Sequence, residues 1–164
     1  MNSKQWQDEG DYFCYRKFDT DYQIFFRDSA RSSLIETSKP VLVLIHGFPT
    51  ASIDWQHVWS SLSEYFRLIT LDMIGFGLSD KPQNYTYSIH DQGDIFQTLL
   101  NKLDIVNYHI LAHDYGDTVA QELLARQLDR ELLETTPITM TGKIRSTILL
   151  NGGLFPETHR PVLL

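Results

Sequence analysis

A run of five apolar residues, Val41–Ile45, constrains the fold of this chain most strongly. Since no polar residue interrupts it, the run is typical of a strand buried on both faces of a parallel sheet. Further buried strands are predicted at Arg67–Leu71, near 108–112 and near 145–150, with helical patterns between them. Strands that alternate with helices indicate an α/β fold, in which helices cover both faces of a mostly parallel sheet.

The remaining predicted elements fit around these strands. Two aromatic-rich runs, 12–18 and 22–27, predict an antiparallel hairpin within residues 1–40, with Cys14 as a core residue. Ser88 followed by Asp91 resembles a capping box and opens a helix that reaches about residue 103. A helix is also predicted at about 55–65. A third, long helix has an apolar face made of Val119, Leu123, Leu124, Leu128 and Leu132.

Composition narrows the class of protein. With 14 Lys and Arg against 21 Asp and Glu, the net charge is −7. We therefore expect no nucleic-acid partner, because no basic stripe is present to meet phosphates. We also expect no membrane span, since no apolar run approaches the roughly 18 residues required. A single cysteine and a polar start without a secretory signal favour the cytoplasm.

The segment Ala112-His113-Asp114-Tyr115-Gly116 carries the strongest chemical signal. It lies between a predicted strand and a predicted helix, and small residues stand two positions to either side of Asp114. This is the layout of a nucleophile elbow, a sharp turn in which bulky neighbours would collide. Aspartate tolerates the positive φ that such a turn requires, and the helix dipole favours its ionised form. The alternative is that Asp114 only caps the helix.

A near-copy of this segment, His90-Asp91-Gln92-Gly93-Asp94, acts as an internal control. It follows Ser88 inside an amphipathic helix, so it is not expected to form an elbow. We interpret its acidic residues as charges of the first helical turn. Sequence context therefore separates Asp114 from Asp91, although the motifs differ at only one position.

A second segment, His46-Gly47-Phe48-Pro49-Thr50, directly follows the strand Val41–Ile45. Glycine allows the backbone to turn sharply there and to present an N–H at the carboxyl end of the strand. The N–H groups of Phe48 and Tyr115 are predicted to form an oxyanion hole. A plain β-turn is the alternative. His46, Gly47, Pro49 and His113 are expected to shape the substrate-binding loops.

Other candidate features favour structural roles. Gly75-Phe76-Gly77 lacks the third glycine of a dinucleotide site, and Lys81-Pro82 follows where a helix would begin, so a loop beside the site is expected. The six histidines show no metal-binding spacing, and we predict neither a metal nor a cofactor. His109 is expected to be a core residue of its strand.

Together these segments resemble the α/β-hydrolase fold family. An Asp nucleophile after His, with His46-Gly-Phe-Pro49 upstream, looks like the epoxide hydrolase and haloalkane dehalogenase branch. Three stretches, 46–55, 113–117 and 151–161, look like the mesoderm-specific transcript protein group. The resemblance covers 41–164 and implies a full chain nearly twice as long, with a core at 41–154 and the beginning of a cap at 155–164.

This resemblance implies a hydrolase in which Asp114 forms a covalent ester with a small-molecule substrate, as in epoxide opening. It also places the catalytic His and its supporting acid late in the chain, beyond the cap. We therefore expect this chain to be a fragment that is inactive alone and self-associates through an open sheet edge.

Two alternatives remain open. One is a haloalkane dehalogenase. Those enzymes typically have Trp after the nucleophile and commonly Asn after His-Gly, where this chain has Tyr115 and Phe48, so the resemblance does not extend to their halide-binding side chains. The other alternative is a non-catalytic protein of the same fold that acts through binding.

Overall fold

The structure is a computed structural model that describes residues 2–30, 38–133 and 142–152. Its strands are β1 (Asp11–Lys17), β2 (Thr20–Asp28), β3 (Val41–Ile45), β4 (Arg67–Leu71), β5 (Asn107–His113) and β6 (Lys143–Leu150). Its helices are α1 (Ser3–Asp8), α2 (Gln56–Ser63), α3 (Ile89–Lys102) and α4 (Tyr115–Leu133), and a 3-10 turn at Ser52–Trp55 precedes α2.

The six strands form one sheet in the order β1-β2-β4-β3-β5-β6. Strands β3, β4, β5 and β6 are parallel to their neighbours, whereas the β1–β2 hairpin joins β4 in antiparallel pairing. This confirms the predicted α/β class, and the strands β3 and β4 have the predicted bounds. The carboxyl ends of β3 and β5 are adjacent, so the loops that follow them meet at one edge of the sheet.

Helices cover both faces of the sheet, as predicted. Side chains of α3 and α4, among them Ile95, Phe96, Val119 and Leu123, pack on one face in the larger core. On the other face, Trp6 of α1 and Trp59 of α2 belong to a smaller core together with Leu42, Leu44 and Leu68. All five residues of β3 are buried, because helices lie above and below it.

Helix α1 has no counterpart in the sequence prediction. Its single buried residue, Trp6, docks the short helix by packing edge-on against Trp59 and donating a hydrogen bond to Ser52 Oγ. The guanidinium of Arg27 lies over both indole rings, 4.1 and 4.6 Å from their centroids, and pairs with Glu9. One aromatic residue in a polar segment gives too weak a periodicity for a helix to be predicted.

The prediction that Cys14 fills the core is wrong, because the side chain is exposed. Burial alternates along β1, where Phe13 and Tyr15 face inward, and Cys14 falls on the outer face between them. The exposure of Cys14 therefore follows from the alternation of side chains between the two faces of a strand, and not from its apolar character.

The apolar face predicted for α4 is only partly buried. Val119 and Leu123 lie in the core, but Leu128 and Leu132 are 56% and 79% exposed. The final strand is also wrongly predicted as buried: Ile144 of β6 is buried, whereas Ile148 and the residues around it are partly or fully exposed. Within the described residues β6 is the terminal strand of the sheet, so only β5 pairs with it.

His109 is half-buried and is not the core residue that we expected. Its ring nitrogen Nδ1 lies 2.8 Å from Ser146 Oγ of the neighbouring strand, which satisfies the imidazole at the surface of the sheet. The expectations for 155–164, the beginning of a cap, lie outside the described residues. No helix in the part of the chain that the structure describes is both long and apolar enough to cross a bilayer.

Candidate active site

Asp114 occupies a sharp turn between β5 and α4. Its φ is +55°, the left-handed region that the sequence context predicted. Space is also limited as expected: Ala112 is fully buried, and a Cβ added to Gly116 would lie 2.6 Å from the backbone oxygens of Ile45 and His46. Any larger residue at 116 would collide with backbone, so the strand–turn–helix geometry requires glycine there.

Three backbone contacts hold Asp114 in place. Its N–H donates to the carbonyl of Leu150 over 3.0 Å, and its own carbonyl accepts from the N–H of Asp117 over 3.0 Å. The N–H of Phe48 donates to Oδ1 of the Asp114 side chain over 2.8 Å. The carboxylate is thus held by a backbone N–H of the loop after β3, the loop in which the sequence predicts such a donor.

That loop approaches the turn very closely. A Cβ on Gly47 would lie 2.7 Å from Cβ of Asp114 and 3.0 Å from Nδ1 of His113. The side chain of Phe48 is 67% exposed, and Pro49 follows it through a cis peptide bond. Gly47 therefore brings the Phe48 N–H within reach of the carboxylate, while the phenyl ring faces solvent and contacts Phe76 edge-on.

His46 is fully buried beneath the loop and has no surface for a substrate. Its Nε2 accepts the N–H of Met73 over 3.0 Å, so Nδ1 carries the proton and donates to the carbonyl of Gly47 over 2.8 Å. Burial lowers the pKa of this imidazole below its ordinary value. These two hydrogen bonds join the imidazole to the loops after β3 and β4.

Tyr115 is the first residue of α4. The N–H groups of the first helical turn have no partner within the helix, so the N–H of Tyr115 belongs to the donors that a helix offers at its amino end. Its half-buried ring lies 6.0 Å from Phe76, centroid to centroid. Burial raises the pKa of the Tyr115 hydroxyl.

The loop after β4 packs beside the site and contains no helix, as predicted. Buried Asp72 organises it: Oδ1 accepts the N–H of Ser52 over 2.8 Å, and Oδ2 accepts the N–H of Leu78 over 2.6 Å. This positions Phe76, whose ring contacts His46 and Phe48 edge-on. Phe76 is a site-lining residue that the sequence analysis did not identify, since a loop aromatic gives no signal of where it points.

The near-copy of the motif lies within α3 and forms no turn between a strand and a helix. Asp91 is mostly buried and binds Lys17 of β1 over 2.5 Å, while Asp94 pairs with Arg126 of α4. These carboxylates join α3 to its neighbours and are more than solvated first-turn charges. The amide N–H of Asp91 does bond to Ser88 Oγ over 3.1 Å, so the predicted N-cap is confirmed.

Asp117, the last residue of the 113–117 motif, is a second site-adjacent carboxylate with no predicted role. It is 0% exposed, and Oδ1 lies 3.3 Å from the N–H of Leu150 at the end of β6. Burial raises its pKa, against smaller opposing contributions from the N–H groups of Leu150 and Gly152. Among the described residues no group of histidine, cysteine or acidic side chains has the arrangement of a metal site.

The fold and the strand–turn–helix at Asp114 together define a protein with the α/β hydrolase architecture. A family model for the alpha/beta hydrolase fold matches residues 40–158. The chain belongs to this family.

Comparison with individual proteins agrees. The chain is 44% identical over 162 residues to the mesoderm-specific transcript protein of Mus musculus, covering 97% of this chain and 44% of the mouse protein. LipZ of Mycobacterium tuberculosis, a protein named as a hydrolase, is 36% identical over 125 residues, which is 75% of this chain and 40% of LipZ. The chain thus spans less than half the length of these relatives.

A solved structure shows the same fold. The haloalkane dehalogenase DatA from Agrobacterium tumefaciens superimposes with a TM-score of 0.63 at 24% identity. The match covers 88% of this chain and 42% of DatA.

Proposed function

We propose that this chain is the core of a hydrolase in which Asp114 is the nucleophile and a small molecule such as an epoxide is the substrate. One observation carries the proposal: the 2.8 Å hydrogen bond from the Phe48 N–H to Asp114 Oδ1, formed where a left-handed turn holds the aspartate between strand and helix. An aspartate that only capped α4 would direct its carboxylate to the helix's own N–H groups.

The hydrogen bond gives the two carboxylate oxygens different tasks. Oδ1 is held by Phe48, so Oδ2 attacks a carbon atom of the substrate. In the opening of an epoxide, a bond forms between Oδ2 and that carbon while the carbon–oxygen bond of the ring breaks. The electron pair passes to the ring oxygen, which takes a proton from water, and the product is an alkyl ester on Asp114.

The oxyanion hole acts in the second step, the hydrolysis of this ester. Water attacks the carbonyl carbon of the Asp114 ester and loses a proton to a base, and negative charge develops on Oδ1. The N–H of Phe48 already lies at hydrogen-bond distance from that oxygen, and the N–H of Tyr115 is the second donor proposed. Donors fixed before the reaction stabilise the charge without reorganisation. When the intermediate collapses, the bond between the carbonyl carbon and the substrate oxygen breaks, and that oxygen takes the proton back from the base, which releases the diol. The Asp114 carboxylic acid then gives its proton to the hydroxide left by the ring opening, which restores the carboxylate.

The described histidines do not supply a base for this second step. His46 uses both ring nitrogens in hydrogen bonds to the loops after β3 and β4, and His90 and His109 are bound to Glu122 and Ser146. His57 is exposed on α2, which packs on the opposite face of the sheet from α4. His113 adjoins the nucleophile directly in sequence, and its Nδ1 is turned toward Gly47. We therefore propose that reaction of this chain with an epoxide ends at one stable ester per molecule.

Covalent labelling tests the proposal. The chain is incubated with styrene oxide, and its intact mass is followed with time. Because Cys14 is exposed and epoxides alkylate thiols, the experiment uses a Cys14→Ser background. We expect a gain of one reagent mass that is lost in Asp114→Asn.

Asp104 provides a matched control, since it is an exposed aspartate with nearly the same φ, +54°, outside the elbow. Asp104→Asn should label like the parent chain. Equal labelling in Asp114→Asn would reject the proposed nucleophile. Labelling of the parent by 1-bromobutane but not by styrene oxide would favour the haloalkane dehalogenase alternative, and labelling by neither would favour a binding protein.

A further inference from the structure

Asp117 and Leu150 are hydrogen-bonded to each other and to the backbone of Asp114. The N–H of Asp114 donates to the carbonyl of Leu150 over 3.0 Å, and the N–H of Leu150 faces Oδ1 of Asp117 at 3.3 Å. The N–H of Asp117 in turn donates to the carbonyl of Asp114. These three hydrogen bonds close a ring that joins the beginning of α4 to the end of β6.

The space around the Asp117 carboxylate is closed. A Cβ added to Gly152 would lie 2.2 Å from its Oδ2, so the segment after β6 passes directly over the carboxylate. Within the described residues Oδ2 has no hydrogen-bond partner that meets ordinary distance and angle limits, although the Gly152 N–H acts on the carboxylate. The groups that act on Asp117 electrostatically are His113 and Asp114, and Asp114 opposes its ionisation.

Burying a second carboxylate beside the first is costly, and stability alone gives no reason for it. An apolar residue of similar size would fill the same space without that cost. The backbone contacts suggest another reason: only an acceptor at this position can hold the Leu150 N–H while the Leu150 carbonyl holds Asp114.

We propose that Asp117 is a positioning residue for the reaction at Asp114. By holding the end of β6 against the beginning of α4, its carboxylate fixes the left-handed turn and thereby the direction of attack of the Asp114 carboxylate. This inference rests on the proposed function, in which Asp114 is the nucleophile. A displacement of about 1 Å at a reacting atom can cost on the order of 100-fold in rate.

The rate of ester formation on Asp114 tests the inference. The limiting rate at saturating styrene oxide and the half-saturating concentration are measured separately, in the Cys14→Ser background. We expect Asp117→Ala to lower the limiting rate by at least about 10-fold and to change the half-saturating concentration little. Asp117→Asn retains an acceptor for the Leu150 N–H and should recover most of that rate.

Asp28→Ala is the matched control for lost stability. Asp28 is also a largely buried carboxylate, bound to Arg67. It lies beside the beginning of β4, at the amino ends of the parallel strands, whereas Asp114 follows the carboxyl end of β5. The Asp28→Ala substitution should lower the thermal stability while leaving the limiting rate within about twofold of the parent, because the reacting atoms stay in place. Equal rate losses in Asp28→Ala and Asp117→Ala would overturn the inference.

Gly152→Ala tests the same contact without removing the carboxylate, and it decides the question if Asp117→Ala fails to fold. Its Cβ would displace Asp117 Oδ2, so the limiting rate should fall. A Cβ at 152 would also lie 2.6 Å from Asp117 Cβ, which alanine retains, so the double variant uses Asp117→Gly. That substitution removes both atoms, and the rate of the double variant should be no lower than in Asp117→Gly alone. Additive losses would overturn the inference.

The two proposals fail in different ways. If the parent chain forms no ester at Asp114, the proposed function fails and the positioning role falls with it. If the parent forms the ester and the Asp117 and Gly152 variants do so equally fast, only the positioning role is rejected.

Discussion

The backbone N–H of Phe48 and the Oδ1 atom of Asp114 are joined by a 2.8 Å hydrogen bond, although 66 positions separate the two residues. The contact exists because β3 and β5 are parallel neighbours whose carboxyl ends open at the same edge of the sheet. Loops at that edge of an α/β sheet are where ligands and catalytic groups meet.

Gly47→Ala should separate these two groups. The added Cβ would lie 2.7 Å from Asp114 Cβ and 3.1 Å from its Oδ1, so the loop after β3 must move away. We expect alkylation of Asp114 by styrene oxide to slow by about 10-fold or more, because the carboxylate loses its fixed orientation. Time-resolved intact mass measures this, and an unchanged rate would show that the loop does not hold the nucleophile.

Alanine at Gly116 and at Gly93 should have opposite effects on stability, although both glycines hold the same place in the repeated motif. At Gly116 the Cβ would lie 2.6 Å from backbone carbonyls, and we expect a loss of about 1–3 kcal/mol in the free energy of unfolding. At Gly93 it approaches only side chains of Arg126 and Glu122, at 3.4 Å, within a regular helix. There we expect a gain of about 0.5–1 kcal/mol.

Urea denaturation of the two variants measures both changes. Destabilisation by similar amounts at the two glycines would contradict the account, because it would mean that the two motif copies have similar surroundings.

The contrast between these glycines shows what could be predicted from the sequence alone. Context separated the two motif copies, since one follows an apolar run and the other follows a helix N-cap. The bounds of β3 and β4 were also predictable, because a strand covered on both faces needs an uninterrupted apolar run.

Elements at the periphery were less predictable. Cys14, Leu128 and Ile148 are apolar residues for which burial was expected, and each is exposed. Whether such a residue is buried depends on what packs over it, which local pattern does not contain. The contacts of Asp117 and Phe76 depend on the same long-range packing, so neither residue was identified as part of the site.

The stability of the protein should fall as the pH decreases below about 6.5, and His46 should account for part of the loss. Burial lowers its pKa in the folded state, so the unfolded chain binds the proton first. The stabilisation is complete above the unfolded pKa and is lost as the pH falls toward the folded pKa, by up to about 1.4 kcal/mol per unit. Protonation of Nε2 also removes the acceptor for the Met73 N–H.

Thermal unfolding of the parent, His46→Gln and His109→Gln between pH 7.5 and 5 isolates this contribution. We expect a shallower dependence on pH in His46→Gln and an unchanged one in His109→Gln, since His109 lies at the surface of the sheet. Parallel curves for all three proteins would contradict the assigned role of His46.

The chain should associate with itself through β6. Its edge is unpaired within the described residues, and Ile148 is 55% exposed on the same strand. Exposed apolar edge strands pair readily with other chains. Size-exclusion chromatography should therefore give species larger than a monomer, with a shift toward monomer in Ile148→Lys. Tyr65→Lys, at an exposed aromatic residue after α2, is the control, and a stable monomeric parent would contradict the prediction.

The identity of the alkylated residue tests the central claim most directly. After reaction with styrene oxide, the Cys14→Ser chain is digested, and the labelled peptide is sequenced by mass spectrometry with and without hydroxylamine. We expect one label on Asp114 that hydroxylamine removes, leaving the hydroxamate, because the bond is an ester. A label on His113 or on another side chain, resistant to hydroxylamine and with Asp114 unmodified, would contradict it.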